Sequence, residues 1–310
     1  MNLEKVQKCL VCNSQDYSIV ETTQTMMATD NRKWQFCQCN QCNMVYLSPR
    51  VPVSSLDAYY TDSYLPYRGP SAWGRFSRLV EGDQKKIDQK RLKTVMKYSD
   101  SAAKIVLDFG CGKPSFLKLV KENSNFRCIG IDFSDKGWND TPEQYKDIEL
   151  HIGGTETLTH GVEADIITMW HYLEHDYAPQ ETLKTLSQTQ KTGTKLIIEV
   201  PNYDSYSRKR YGEFWSGYHT PRHTGLYTTR TMKLLLESCG WEVLDQYSYG
   251  TLDPYTLDWM SRMEKNRMDW SASMESHFTS YVVGKMIRPI YFLSRFRSLG
   301  FMTVIAQNKE

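Results

Sequence analysis

Long apolar runs are missing from this sequence. No stretch of its 310 residues approaches the roughly 18 apolar residues that a membrane-crossing helix needs, and Met1 to Leu10 (MNLEKVQKCL) is polar where a signal peptide is apolar. The expectation is a cytoplasmic protein with no transmembrane segment. Charge of one sign is scarce as well: Lys and Arg number 38 against 36 Asp and Glu, a net charge of +2. The balance is +4 over residues 1–100, −4 over 101–250 and +2 over 251–310, so no segment forms the basic stripe that phosphate backbones attract. This argues against a nucleic-acid partner. Repeats and low-complexity tracts are also absent, and with 40% hydrophobic residues the chain is neither disordered nor fibrous.

Cysteine is present in surplus and unevenly placed. Five of the eight fall in the first 42 residues: Cys9, Cys12, Cys37, Cys39 and Cys42. Without a secretory signal, such clustering favours a metal site over a disulfide framework. Cys9-Leu-Val-Cys12 and Cys39-Asn-Gln-Cys42 are two C-x-x-C knuckles, each able to turn two thiolates toward one point. Two such pairs give the closed tetrahedral S4 shell of a structural Zn²⁺ site, and a full shell leaves no position for catalysis. Cys37 is the spare and an alternative to Cys39, although the C-x-x-C pair closes the better turn. Short strands are expected at Ser18 to Thr23 and Lys33 to Phe36, giving a zinc ribbon over residues 1–50.

Residues 51–100 read as a helical connector or lid, turn-rich and aromatic at first (Tyr59, Tyr60, Tyr64), then helical from about Phe76 to Tyr98. From residue 101 to 310 apolar strands alternate with amphipathic helices, as in a parallel α/β sheet. Strands are expected at Lys104–Asp108, Arg127–Asp132, Ile148–Ile152, Ala164–Met169, Thr194–Val200, Trp241–Tyr249 and Phe301–Gln307. Helices are expected at Ser115–Asn123, Pro179–Gln190 and Thr229–Ser238. The fold class is α/β: a Rossmann-like, seven-stranded, mostly parallel sheet with a small amino-terminal zinc ribbon.

Ile105-Val-Leu-Asp-Phe-Gly-Cys-Gly112 is a buried strand that ends in an acid and a glycine-spaced turn before a helix. Such a strand–turn–helix presents backbone N–H groups at the carboxyl edge of the sheet, where these folds bind ligands. Twenty-four residues after Asp108, the strand Cys128-Ile-Gly-Ile-Asp132 ends in an acid able to accept both hydroxyls of a ribose. The third glycine of a dinucleotide fingerprint is missing, because position 115 is Ser. Asp108 would repel a pyrophosphate but suits a cationic, phosphate-free nucleoside, which favours S-adenosylmethionine over NAD.

These residues resemble motif I of class I S-adenosylmethionine-dependent methyltransferases, in particular the branch with an amino-terminal zinc ribbon that acts on sugars or biosynthetic intermediates. Further landmarks are Gly130-Ile-Asp132, Asp165-Ile-Ile-Thr-Met-Trp-His-Tyr-Leu-Glu-His175, Val200-Pro-Asn202 and Pro221-Arg-His223. The resemblance implies that Asp108, Gly110, Cys111 and Gly112 line the methionine end of the cofactor and that Asp132 takes the ribose, with Phe133 beside it. Met169, Trp170 and His171 would close over it. Two departures stand out. Pro114 takes the place of the family's third glycine, and the family's acid for the adenine amino group is replaced by Gly154-Thr-Glu156, which leaves Glu156 or a backbone group to serve.

His171-Tyr-Leu-Glu-His175 also matches the H-x-x-E-H zinc motif of one metalloprotease class. It follows a buried strand and opens a loop instead of lying in a long helix, so the bracing of that loop by Glu174 and His175 is preferred. Tyr203 to Thr228 is rich in aromatic and titratable residues, as loops that cover substrates are. Methyl transfer is an in-line displacement in which the enzyme positions the acceptor and removes its proton. His219 and His223 from this loop and His171 from the cofactor edge are the candidate bases, each with a structural hydrogen-bonding role as its rival. Arg222 is read as pairing an acidic substrate group or holding the loop on Glu213. The segment from Tyr281 is basic and apolar; a core-packing helix broken at Pro289 is preferred to a membrane-surface segment. The acceptor is expected to be a small molecule. The rivals are an RNA methyltransferase whose ribbon grips RNA, and a catalytically inactive nucleoside-binding module that uses the ribbon for protein contacts.

Overall fold

The computed structural model of the chain describes residues 2–28, 30–61, 64–287 and 298–309. The expected break at Pro289 lies outside them. Strands β1 (Tyr17–Gln24), β2 (Lys33–Cys39) and β3 (Val45–Leu47) form an antiparallel sheet after the first knuckle. Its fourth strand comes from far along the chain: Gly225–Leu226 pairs antiparallel with Val45 and Tyr46. The loop of residues 203–228 is therefore sewn into the ribbon sheet.

The connector contributes α1 (Leu65–Arg68) and α2 (Ser77–Tyr98). Asp88 of α2 is buried and accepts from Ser115 Oγ at 2.8 Å, at the start of α3 (Ser115–Asn123). Pro114 caps that helix without breaking it, because the first helical turn needs no donor there.

The second sheet holds β4 (Ile105–Phe109), β5 (Arg127–Asp132), β6 (Glu149–Ile152), β7 (Ile166–Trp170) and β8 (Lys195–Pro201). Helix α4 (Pro179–Thr189) lies between β7 and β8, and α5 (Tyr206–Tyr211) follows β8. With the ribbon's fourth strand counted as β9, the chain continues through α6 (Thr229–Ser238), β10 (Trp241–Tyr247), α7 (Pro254–Lys265), α8 (Phe278–Met286) and β11 (Phe301–Asn308). The order across the sheet is β10-β11-β8-β7-β4-β5-β6, parallel except where β11 runs antiparallel between β8 and β10. The expected α/β, Rossmann-like, seven-stranded and mostly parallel sheet is what forms. The strands of this sheet start and end within two residues of the expected bounds, and β2 of the ribbon runs three residues past its own, to Cys39.

Alternation along each strand builds two cores. Leu107, Ile129, Ile167 and Ile198 face one side, in a cluster continuous with Cys9, Val11, Met44 and Tyr46 of the ribbon. Val106, Cys128, Ile166 and Ile197 face the other, against Phe116, Leu117 and Val95 of the helices. A separate aromatic cluster fastens the late insertion to the connector: Trp73 packs on Trp259 at 5.6 Å, and Phe76 stacks on Phe278 at 4.1 Å. Tyr281 packs into this cluster, while Val283, Met286 and Ile287 stay exposed. Among the described residues no helix is long and apolar enough to cross a membrane.

Candidate functional site

The two knuckles have the same local form. In each, the residue after the second cysteine, Asn13 or Asn43, adopts a left-handed backbone (φ 61° and 66°) and donates its N–H to the carbonyl of the first cysteine. Asparagine tolerates that conformation better than most residues. The turns bring the Sγ atoms of Cys9, Cys12, Cys39 and Cys42 within 4.8 Å of one another, with Cys12 and Cys39 at 3.4 Å and Cys9 and Cys42 at 3.5 Å. Bonds of about 2.3 Å in a tetrahedral shell would put thiolates about 3.8 Å apart, so the donor set fits zinc in kind and spacing. Cys37 stands apart, with its Sγ 3.8 Å from the carbonyl of Ser48.

At the carboxyl edge of the large sheet, Gly110 and Gly112 turn the chain with φ of 78° and 49°. Asp132 closes the next strand. Its Oδ2 accepts from Gly112 N at 2.8 Å and its Oδ1 from Ser134 N at 3.2 Å. Burial pushes its carboxyl up, against those backbone bonds. Asp108 is buried beneath the turn. Burial raises its carboxyl to about 7, and Thr168, whose hydroxyl donates at 2.6 Å, opposes the rise. Phe133 is 59% exposed directly after Asp132, with the ring of Tyr60 6.2 Å away. Glu156 is exposed and accepts from Gly154 N at 2.6 Å. Cys111 is buried, and its thiol is pushed up by burial. This donor set could hold S-adenosylmethionine: its paired ribose hydroxyls at Asp132, its adenine ring at Phe133 and its cationic amine at Asp108.

Met169 and Trp170 lie differently from His171. Met169 is wholly buried in the core shared with the ribbon, while Trp170 packs edge-on to Phe116 at 5.7 Å with Arg91 above its ring. His171 reaches out in a left-handed backbone (φ 59°) and is clamped, with Nε2 3.0 Å from Glu199 Oε1 and Nδ1 3.3 Å from Glu174 Oε1. Burial pulls its imidazole down, but the two carboxylates outweigh that and hold it at about 9. It is an imidazolium at neutral pH and has no lone pair to give. Glu199 is the counterpart: burial would raise its carboxyl, yet the bond to His171 keeps it low.

The segment His171–His175 is a short 3-10 turn over Leu173–His175, not a long helix, which removes the protease reading. Around it gather His175, His219 and His223. His223 Nδ1 donates to the carbonyl of Gly217 at 2.8 Å, and His219 Nδ1 lies 3.3 Å from His223 Nε2. His219 Nε2 is buried with no hydrogen-bond partner. Burial, then the neighbouring positive and imidazole groups, holds His219 and His223 well below the usual histidine range, so both are neutral at pH 7. Tyr64 stacks on His219 at 5.3 Å, and Tyr60 lies between His175 and Phe133.

Arg222 departs from expectation. It is fully buried, touches neither Glu213 nor open space, and donates to the carbonyls of Tyr59, Met26 and Met27. It pins the ribbon hairpin, the connector and the loop together. Two residues of the site went unread in the sequence. Tyr172 lays its ring against Gly110 and packs edge-on to Phe109 at 5.0 Å, with its hydroxyl toward Asp176. Glu199 was readable as an acid inside the apolar run Leu196-Ile-Ile-Glu199-Val200; nothing marked Tyr172. A cavity of about 290 Å³ opens elsewhere, lined by Thr25, Met26, Phe214, Glu264 and Trp270 and by none of the glycine-turn residues.

A Rossmann-like sheet with an acid-flanked glycine turn, a second acid closing the next strand and an aromatic loop over that edge defines the class of S-adenosylmethionine-dependent methyltransferases. A methyltransferase domain family matches residues 80–246, and the chain belongs to it. Among solved structures, a SAM-dependent methyltransferase from Archaeoglobus fulgidus is 18% identical, with 71% of this chain and 94% of that one covered at a TM-score of 0.43. A cyclopropane synthase from Mycobacterium tuberculosis is 10% identical, with 71% and 83% covered at 0.49. A mycolic acid cyclopropane synthase in complex with SAH and CTAB is 12% identical, with the same coverage and TM-score. No curated protein matches the chain.

Proposed function

We propose that this methyltransferase acts on a small-molecule acceptor, a sugar or biosynthetic intermediate, held between the cofactor edge and the loop of residues 203–228. Asp108, Gly110, Cys111 and Gly112 would hold the amino acid end of S-adenosylmethionine, Asp132 the ribose, and Phe133 and Glu156 the adenine side. When bound, that cofactor supplies a methyl group on a sulfonium, open to in-line attack. The backbone of Met169 and Trp170 and the His171 imidazolium would wall the site. Cys9, Cys12, Cys39 and Cys42 would hold a structural zinc that keeps the ribbon folded under β9.

One observation carries the assignment of the proton acceptor: the unpartnered, buried Nε2 of His219. His171 is already protonated, and both nitrogens of His223 are engaged. If Nδ1–H of His219 donates to His223 Nε2, the lone pair of His219 Nε2 is left to take a proton from an acceptor hydroxyl or amine. The near-neutral charge balance supports a small acceptor over RNA.

The test is methylation of a metabolite extract and of total RNA with isotopically labelled S-adenosylmethionine. Label in low-molecular-weight product, with none in RNA, is expected; label in RNA alone would overturn the proposal. His219→Gln should lower turnover about 10²- to 10⁴-fold with cofactor affinity unchanged.

A further inference from the structure

We infer that Glu174, His175 and His223 form a second metal site, of the two-histidine, one-carboxylate kind that binds Zn²⁺ or a similar divalent first-row ion. One ligand atom from each lies within 4.8 Å of the others. The three come from two places in the chain, the turn after β7 and the loop after α5. They are brought together because Thr224 N donates to the carbonyl of Glu174 at 2.7 Å and Leu47 N to that of Thr224 at 2.9 Å.

Two further features point to a cation. His223 commits its Nδ1–H to the carbonyl of Gly217 at 2.8 Å. That arrangement fixes the tautomer and turns the other nitrogen inward as a lone-pair donor, as in metal-binding histidines generally. Glu174 spends Oε1 on His171, while its Oε2 is buried and has no partner, a costly state for a carboxylate oxygen. A divalent ion would satisfy that oxygen and offset the carboxylate's buried charge.

Three protein ligands leave a coordination position open, the pattern of catalytic and not structural zinc. The least enclosed ligand is His175, and next to it stand Tyr60 and then Phe133. An open position on an ion held there would suit an oxygen of the acceptor. Coordination of a cation by His223 Nε2 would replace its contact with His219 Nδ1 at 3.3 Å. His219 Nε2 stays outside the ligand set. The metal's role rests on the methyl-transfer reading of this region; its presence does not.

Metal analysis of the full chain, loaded with excess zinc and then dialysed, should find two equivalents, falling to one in Cys12→Ser, in Glu174→Gln and in His223→Asn. Calorimetry with S-adenosylmethionine on the same samples reports separately on the cofactor reading. Cobalt loading covers the case in which a variant fails to fold. In the wild-type chain the second equivalent should add weak d–d absorption without thiolate charge transfer. One equivalent in the wild-type chain that Cys12→Ser abolishes, two retained by both Glu174→Gln and His223→Asn, or thiolate bands from both cobalt equivalents would overturn the site.

Discussion

The ring of Tyr172 covers Gly110 so closely that a Cβ built on that glycine would fall 2.3 Å from Tyr172 Cδ2. Gly110 also has a φ of 78°, outside the range that side chains favour. Gly110→Ala should therefore cost about 1–3 kcal/mol of stability and displace Tyr172 from the turn. Urea unfolding measures the first effect. Calorimetry measures the second as lost cofactor binding, and an alanine variant that binds normally would refute the assignment of the turn.

Asp108 is expected to make cofactor binding depend on pH. Its folded value of about 7 means that it gains a proton as pH falls through neutrality, and a cationic amine prefers the carboxylate. Cofactor affinity should weaken below about pH 7 and flatten in Asp108→Asn. The stability sign is opposite. The folded state holds this proton more tightly than the unfolded chain, so the group's contribution declines as pH rises from the ordinary carboxyl value of 3.8 toward 7. Thermal midpoints of wild type and Asp108→Asn should diverge across that window.

Asp132 is expected to anchor the ribose through charge-assisted hydrogen bonds of about 1.5–3 kcal/mol. Asp132→Ala should weaken cofactor binding by about 10- to 100-fold. Equal dissociation constants for the two proteins would remove Asp132 from the site.

The spare thiol separates the proposed zinc ligands from a bystander. Cys12→Ser should lose one zinc and lower the thermal midpoint, because metal-binding energy in such ribbons is folding energy. Cys37→Ser should keep its zinc, since its Sγ faces Ser48 and not the cluster.

Glu199 ties β8 to the loop at Thr251, accepting from Thr251 N at 2.6 Å and from its Oγ1 at 2.9 Å, while it holds His171. Removing one partner of a buried pair strands the other charge, so Glu199→Ala should cost about 3–5 kcal/mol in denaturant unfolding. Glu199→Gln keeps the hydrogen-bond acceptor and should cost less.

The sequence by itself determined which segments become the strands of the large sheet, the two cysteine knuckles and the acid-flanked glycine turn. These rest on local causes: apolar periodicity, the reach of a C-x-x-C turn, and glycine's access to positive φ. The tertiary structure alone decided what spans long separations. It drew Gly225 and Leu226 into the ribbon sheet beside Val45 and Tyr46, and it gave Arg222 three carbonyls in place of a carboxylate. It laid Tyr172 on Gly110 and brought His219 and His223 to His175. A histidine's protonation and free lone pair follow from its neighbours and burial, and those exist only once the loop of residues 203–228 is folded onto the edge of the sheet.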